Sequence, residues 1–130
     1  MNYFISDLII RIKNAAAARR KTVELPYSNM NKAIAKVLAK ERFLTGVKEE
    51  EVEGRKMLIA SIAYDNRIPV MTNVIVVSKP SLRVYIKSHD VHKKERKGLH
   101  TVILSTSAGV MSGVEAVKKG VGGELLFEIW

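Results

Sequence analysis

The chain has 130 residues, 47% of them hydrophobic, enough for one ordinary domain or two very small ones with a buried core. A formal net charge of +9 points to a polyanionic partner, nucleic acid ahead of an acidic membrane. With no cysteine there are no disulfides or thiolate metal sites, and no apolar run is long enough to span a bilayer.

Phe4, Ile5, Leu8, Ile9 and Ile12 recur at helical steps and Ala15 to Ala18 continue with strong helix formers, so the chain opens on an amphipathic helix with Asn2 or Ser6 as candidate caps. Asp7, Arg11 and Lys13 interrupt its resemblance to a signal sequence, which leaves a soluble, cytoplasmic protein as the reading. Arg11, Lys13, Arg19, Arg20 and Lys21 load the second half of this helix, more cations than the helix dipole alone accounts for, which favours phosphate contact. Thr22 to Leu25 is β-prone and Pro26 stops it. Ser28 or Asn29 then caps a second helix with a stripe of Met30, Ala33, Ile34, Val37 and Leu38. The acidic run Glu49-Glu50-Glu51-Val52-Glu53 reads as a solvated loop or hairpin edge turning at Gly54. Lys56 to Tyr64 is the returning strand.

Asp65 to Pro69 is rich in turn formers and is the expected joint, dividing the chain into 1–66 and 67–130. Beyond it, Val70 to Val77 and Leu82 to Ile86 read as strands separated by a turn at Ser78-Lys79-Pro80-Ser81. Lys87 to Lys97 has the composition of an exposed loop, with Lys93, Lys94, Arg96 and Lys97 available to phosphates. Thr101 to Leu104 is a strand, Val114 to Lys119 a short helix ended by Gly120, and Glu124 to Ile129 the closing strand. The fold class is therefore α+β: an N-terminal α-β-α-β-β part and a mostly antiparallel β part with a short helix.

The chemistry concentrates in Ser105-Thr106-Ser107 and Gly120-Val121-Gly122-Gly123-Glu124, which two strands framing a helix would bring together. A hydrolytic triad would need a serine with a supporting histidine; the nucleophile-elbow glycine pattern is incomplete here, because Ser105 stands where a glycine is required. The hydroxyls can instead cap a turn or contact a ligand. The glycines close a helix and open a strand, the reverse of a nucleotide-binding loop. They serve a tight turn, close approach of an RNA backbone, or both. Glu124 can hold backbone N–H groups or accept from base donors, and Tyr85 can stack on a base or pack in the sheet. Lys79 and Arg83 suit phosphates. Nothing in the three histidines suggests a metal site, and no cofactor is expected.

Lys79-Pro80-Ser81-Leu82-Arg83-Val84-Tyr85, Gly98-Leu99, Ser105 to Met111 and Gly120 to Glu124, in this order and spacing, resemble the family of small-subunit ribosomal protein eight; Arg11-Ile12-Lys13-Asn14 resembles its N-terminal helix motif. The resemblance covers essentially the whole chain. It implies a non-enzymatic constituent of the small ribosomal subunit that binds the central domain of small-subunit rRNA directly and helps assemble it. Neighbouring small-subunit proteins are implied as partners. Some bacterial members also repress their own operon, which makes that mRNA a further implied partner. The family's RNA contacts carry over to Ser105, Thr106, Ser107, Gly122, Gly123 and Glu124, with Tyr85 and Lys13 beside them. The chain departs from the family in lacking an Asp-Pro near its start, and in having Ser81 and His100 where glycine is usual. Ser112-Gly113 also replaces a common threonine and acidic residue. A hydrolase acting on RNA and a general nucleic-acid binder are the rival readings. The first requires turnover, the second no preference for folded RNA.

Overall fold

A computed structural model describes residues 4–95 and 100–130, and the chain divides into two compact units, Met1–Thr72 and Asn73–Trp130. The first unit runs α1 (Phe4–Ala17), β1 (Thr22–Pro26), α2 (Asn29–Lys40), β2 (Leu44–Val52), β3 (Arg55–Ile62), β4 (Tyr64–Asp65) and β5 (Ile68–Pro69). The second runs β6 (Val74–Val76), β7 (Tyr85–Ile86), α3 (Ser88–Glu95), β8 (Thr101–Thr106), β9 (Gly109–Ser112), α4 (Gly113–Lys119) and β10 (Gly123–Ile129). Helices with antiparallel sheets make this an α+β fold, as the sequence pattern implies.

In the first unit the helical stripe of α1 buries Ile5, Leu8, Ile9, Ile12, Ala15 and Ala16. The helix ends with Arg19 in the left-handed region (φ 56°), where the Arg20 N–H reaches back to the Ala15 carbonyl. Ser28 is the cap of α2, in extended conformation, its hydroxyl accepting from the Asn31 N–H at 3.0 Å. Ile34, Ala35, Val37 and Leu38 are buried, but Met30, expected in this stripe, is 40% exposed. It stands in the first turn, where the helix puts buried Asn31 inward instead, with its amide donating to the Pro26 carbonyl.

The sheet order is β1-β3-β2, all antiparallel. Glu53 and Gly54 both take positive φ at the β2–β3 turn, the backbone sense that matches strand twist in a two-residue hairpin. The acidic run is strand rather than loop. Within it Glu49 pairs with Lys32 of α2 and, at 3.2 Å, with Lys56 of β3, whose ammonium also lies 4.2 Å from the centre of the Tyr27 ring. Hydrogen bonding to Lys32 and Lys56 holds the Glu49 carboxyl below the ordinary carboxylate range, and the same bonds raise both lysines.

Asp65 to Pro69 is a hairpin tip and not the joint: Asn66 and Arg67 turn with positive φ, β4 pairs with β5, and the Val70 N–H bonds back to the Ala63 carbonyl. These bonds tie the segment to the first unit, and the division comes after Thr72.

The second unit has the sheet order β6-β10-β8-β9, with β7 also paired to β10. Val91, Val102, Leu104, Met111, Ala116 and Leu125 form its core, with Val77, Val84, Ile86, Val117 and Val121 packed around them. Three expectations are corrected here. The valine-rich strand shrinks to Val74–Val76, because Pro69 and Val70 belong to the preceding hairpin. The strand expected over Leu82 to Ile86 is only Tyr85–Ile86, because Leu82 bridges back to Lys79. The basic stretch expected as a loop contains α3, whose Val91 is drawn fully into the core. Gly120 takes φ 68° as the cap ending α4, as expected. At the other end of α4, Ser112 is buried and caps the helix, its hydroxyl accepting from the Glu115 N–H.

Candidate nucleic-acid interface

The hydroxyls do not sit in a loop between strand and helix. Ser105 and Thr106 end β8, Ser107 stands in the tight turn, and β9, absent from the sequence expectation, returns antiparallel before α4 begins. Gly109 at φ 115° completes this turn. The Thr106 hydroxyl donates to the Gly109 carbonyl at 2.8 Å and accepts from the Ala108 N–H at 3.1 Å, so it holds the turn. Among the described residues, the Ser105 and Ser107 hydroxyls have no such partner; Ser107 is exposed and Ser105 half-buried.

Strand register decides what meets what. Glu124 on β10 lies between Tyr85 on β7 and Ser105 on β8, and the next pair along puts Gly123 between Ile86 and Thr106. Residues paired directly across a sheet share a face, so Tyr85, Glu124 and Ser105 form one row. In the adjacent row, Leu125 and its partner Leu104 on β8 turn to the core. Tyr85 is 72% exposed, so it does not pack into the sheet.

Within the chain, Glu124 does not hold the backbone N–H groups expected of it. Among the described residues its carboxylate meets only side chains: Oε2 accepts from the Ser78 hydroxyl and from Arg83 Nη1, the latter at 3.1 Å. Ser78 in turn accepts from the Val84 N–H at 3.1 Å. This arrangement secures the base of a turn in which Lys79 and Leu82 exchange two backbone hydrogen bonds of 3.0 Å each. The turn therefore carries Lys79, Arg83 and the exposed Leu82 outward beside Tyr85.

Of the glycine run, Gly120 makes the expected positive-φ turn, but neither Gly122 nor Gly123 has a positive φ. A Cβ on Gly122 would collide with the Ile86 carbonyl oxygen and come 3.0 Å from the Lys87 Cα. One on Gly123 would collide with the Ser105 carbonyl oxygen and come 3.0 Å from the Thr106 Cα. The close approach is by the protein's own strands.

Of the remaining candidates, Lys93 and Lys94 fall on α3 with their side chains outside the described residues, and Arg96 and Lys97 lie wholly outside them. Lys13 belongs to the first unit, exposed on α1. That unit also has an open basic cleft of about 830 Å³ lined by Arg11, Asn14, Arg20, Lys21, Thr22 and Glu24. His100 stacks on Trp130, ring centres 3.9 Å apart and planes within 4°. Among the described residues no histidine bonds to the hydroxyls and no group of three or more metal-ligating side chains occurs. No helix among the described residues is long and apolar enough to cross a membrane. The residue that sequence reasoning missed is Ser78. Its only signal was a hydroxyl next to Lys79-Pro80, read there as part of a turn.

The fold and this surface define a two-unit α+β protein that presents a rigid polar row flanked by cations. Residues 4–130 match the family model described as ribosomal protein S8. A protein of Coprothermobacter proteolyticus named small ribosomal subunit protein uS8 is 44% identical over 128 residues, covering 97% of this chain and 96% of that one. Proteins of the same name from Mycoplasmopsis synoviae and a Thermoanaerobacter species are each 42% identical, with the same coverage. The chain belongs to the ribosomal protein S8 family, and it is a structural protein rather than an enzyme.

Proposed function

We propose that this chain, a structural component of the small ribosomal subunit, binds the central domain of small-subunit rRNA directly and helps assemble it. The observation that carries this reading is the strand register, which lines up Tyr85, Glu124 and Ser105 across three strands, with Thr106 and Ser107 following Ser105 along the chain into the adjoining turn. An exposed phenol offers a stacking face, the serine hydroxyls both donate and accept, and Lys79 and Arg83 supply charge for phosphates. Ionic attraction brings any RNA to such a surface; the fixed spacing of ring, carboxylate and hydroxyl selects a folded one. Recognition resides in the C-terminal subdomain, and Lys13, Lys93 and Lys94 add backbone contacts. The same surface would serve the chain's own operon mRNA in feedback repression, and neighbouring small-subunit proteins complete the partners.

The test is equilibrium titration of the full chain against transcribed central-domain rRNA of its own cells, a shuffled transcript of equal length, and its operon leader. Ser107→Ala should weaken rRNA binding by about 1–3 kcal/mol by leaving an RNA group unpaired, with little effect on folding. Lys79→Ala should weaken both RNAs and reduce the log–log salt slope by roughly 0.7–0.9. Equal affinity of the wild-type chain for rRNA and shuffled RNA would overturn the proposal.

A further inference from the structure

Ser78 is fully buried, yet its hydroxyl has both a donor and an acceptor role to satisfy. Its oxygen takes the Val84 N–H and its proton goes to Glu124 Oε2, the oxygen that also accepts from Arg83. A serine placed only to satisfy the Val84 N–H would need no carboxylate. The Glu124 side chain is 18% exposed and that of Arg83 45%, so the pair lies at the edge of the surface with its anchor beneath it. With Oε2 engaged twice, rotation of the carboxylate is stopped, while Oε1 has no partner among the described residues.

We infer that Ser78 is a positioning residue for RNA discrimination: acting through Glu124, it fixes Oε1 as the acceptor offered beside Tyr85 and Ser105, and it holds Arg83 next to that acceptor. This rests on the RNA-binding reading above. A carboxylate in a cationic surface repels phosphate, so it contributes only if it meets base amino or imino donors in one orientation. Ser78 supplies that orientation without touching RNA.

The experiment has a part without RNA and a part with it. In the free protein, nitrogen relaxation of the Arg83 Nε–H should show increased motion in Ser78→Ala. Titrated against the same central-domain rRNA, Ser78→Ala should bind about tenfold more weakly, with affinity for the shuffled transcript unchanged. In a Glu124→Ala background, adding Ser78→Ala should produce no further loss. Ser78→Cys keeps the volume and a weak S–H donor, and it carries the same cycle if the alanine variant does not fold. Unchanged Arg83 motion overturns the inference, as does a Ser78→Ala loss of equal size with and without Glu124. If Glu124→Ala weakens rRNA binding and Ser78→Ala does not, the positioning role alone falls. If neither does, the RNA role of Glu124 falls with it.

Discussion

Gly123→Ala separates two reasons for a glycine at this surface. The added methyl would meet the Ser105 carbonyl oxygen inside contact distance, its carbon at 2.9 Å and the Thr106 Cα at 3.0 Å. All three are backbone atoms of the neighbouring strand, so no flexible side chain can swing aside. Relief requires β8 and β10 to separate at the Gly123–Thr106 pair. Overpacking of this kind costs about 1–3 kcal/mol, and a loosened ladder hydrogen bond adds roughly 1. Because φ at Gly123 is not positive, the whole loss is steric. A destabilisation of about 2–4 kcal/mol is a large part of the roughly 5–15 that holds a small protein together. In urea, with a slope of about 2 kcal/mol per molar, the midpoint should fall by about 1–2 M. Gly120→Ala is the control. It has open space around its Cβ but φ 68°, so it should lose only about 1 kcal/mol through backbone strain. Wild-type stability in Gly123→Ala would refute this reasoning. If rRNA affinity fell at the same time, the glycine would belong to the ligand and not to the sheet.

Arg42 ends α2 at φ 70°, and Arg42→Gly should stabilise the chain by about 0.5–1 kcal/mol in thermal unfolding, since left-handed backbone strains any residue with a Cβ. Glu49, held below its ordinary value of 4.5 by Lys32 and Lys56, contributes stability that is full above that value and lost as pH falls through the lowered one. Acid unfolding of Glu49→Gln should lack this component, and an identical pH profile in the two proteins would remove the pairing as its source. His100→Ala should unstack Trp130, change the emission of the only tryptophan and destabilise by about 0.5–1.5 kcal/mol; an unaltered spectrum would mean the rings are not stacked in solution.

Sequence by itself determined whatever depends on neighbours along the chain. The stripe Ile5, Leu8, Ile9, Ile12 carries a helical period, Ser28 is a cap by its chemistry, Pro26 ends β1, and Gly120 ends α4 through the conformation it alone adopts cheaply. The resemblance of Ser105 to Met111 and Gly120 to Glu124 to one family rested on order and spacing, and it pointed to the family that the chain belongs to. Tertiary structure decided what depends on register and burial. A polar, cation-rich stretch gave no helical signal, yet α3 forms because Val91 finds a core to enter. Met30 has the hydrophobicity of a core residue and the wrong angle about α2 to reach it. The glycines before Glu124 read as turn formers, but it is the approach of β7 and β8 on either side that forbids a Cβ there. Ser78 is forty-six residues from Glu124, the difference between positions 78 and 124, and no local pattern can report a pair that only strand pairing brings within hydrogen-bond reach.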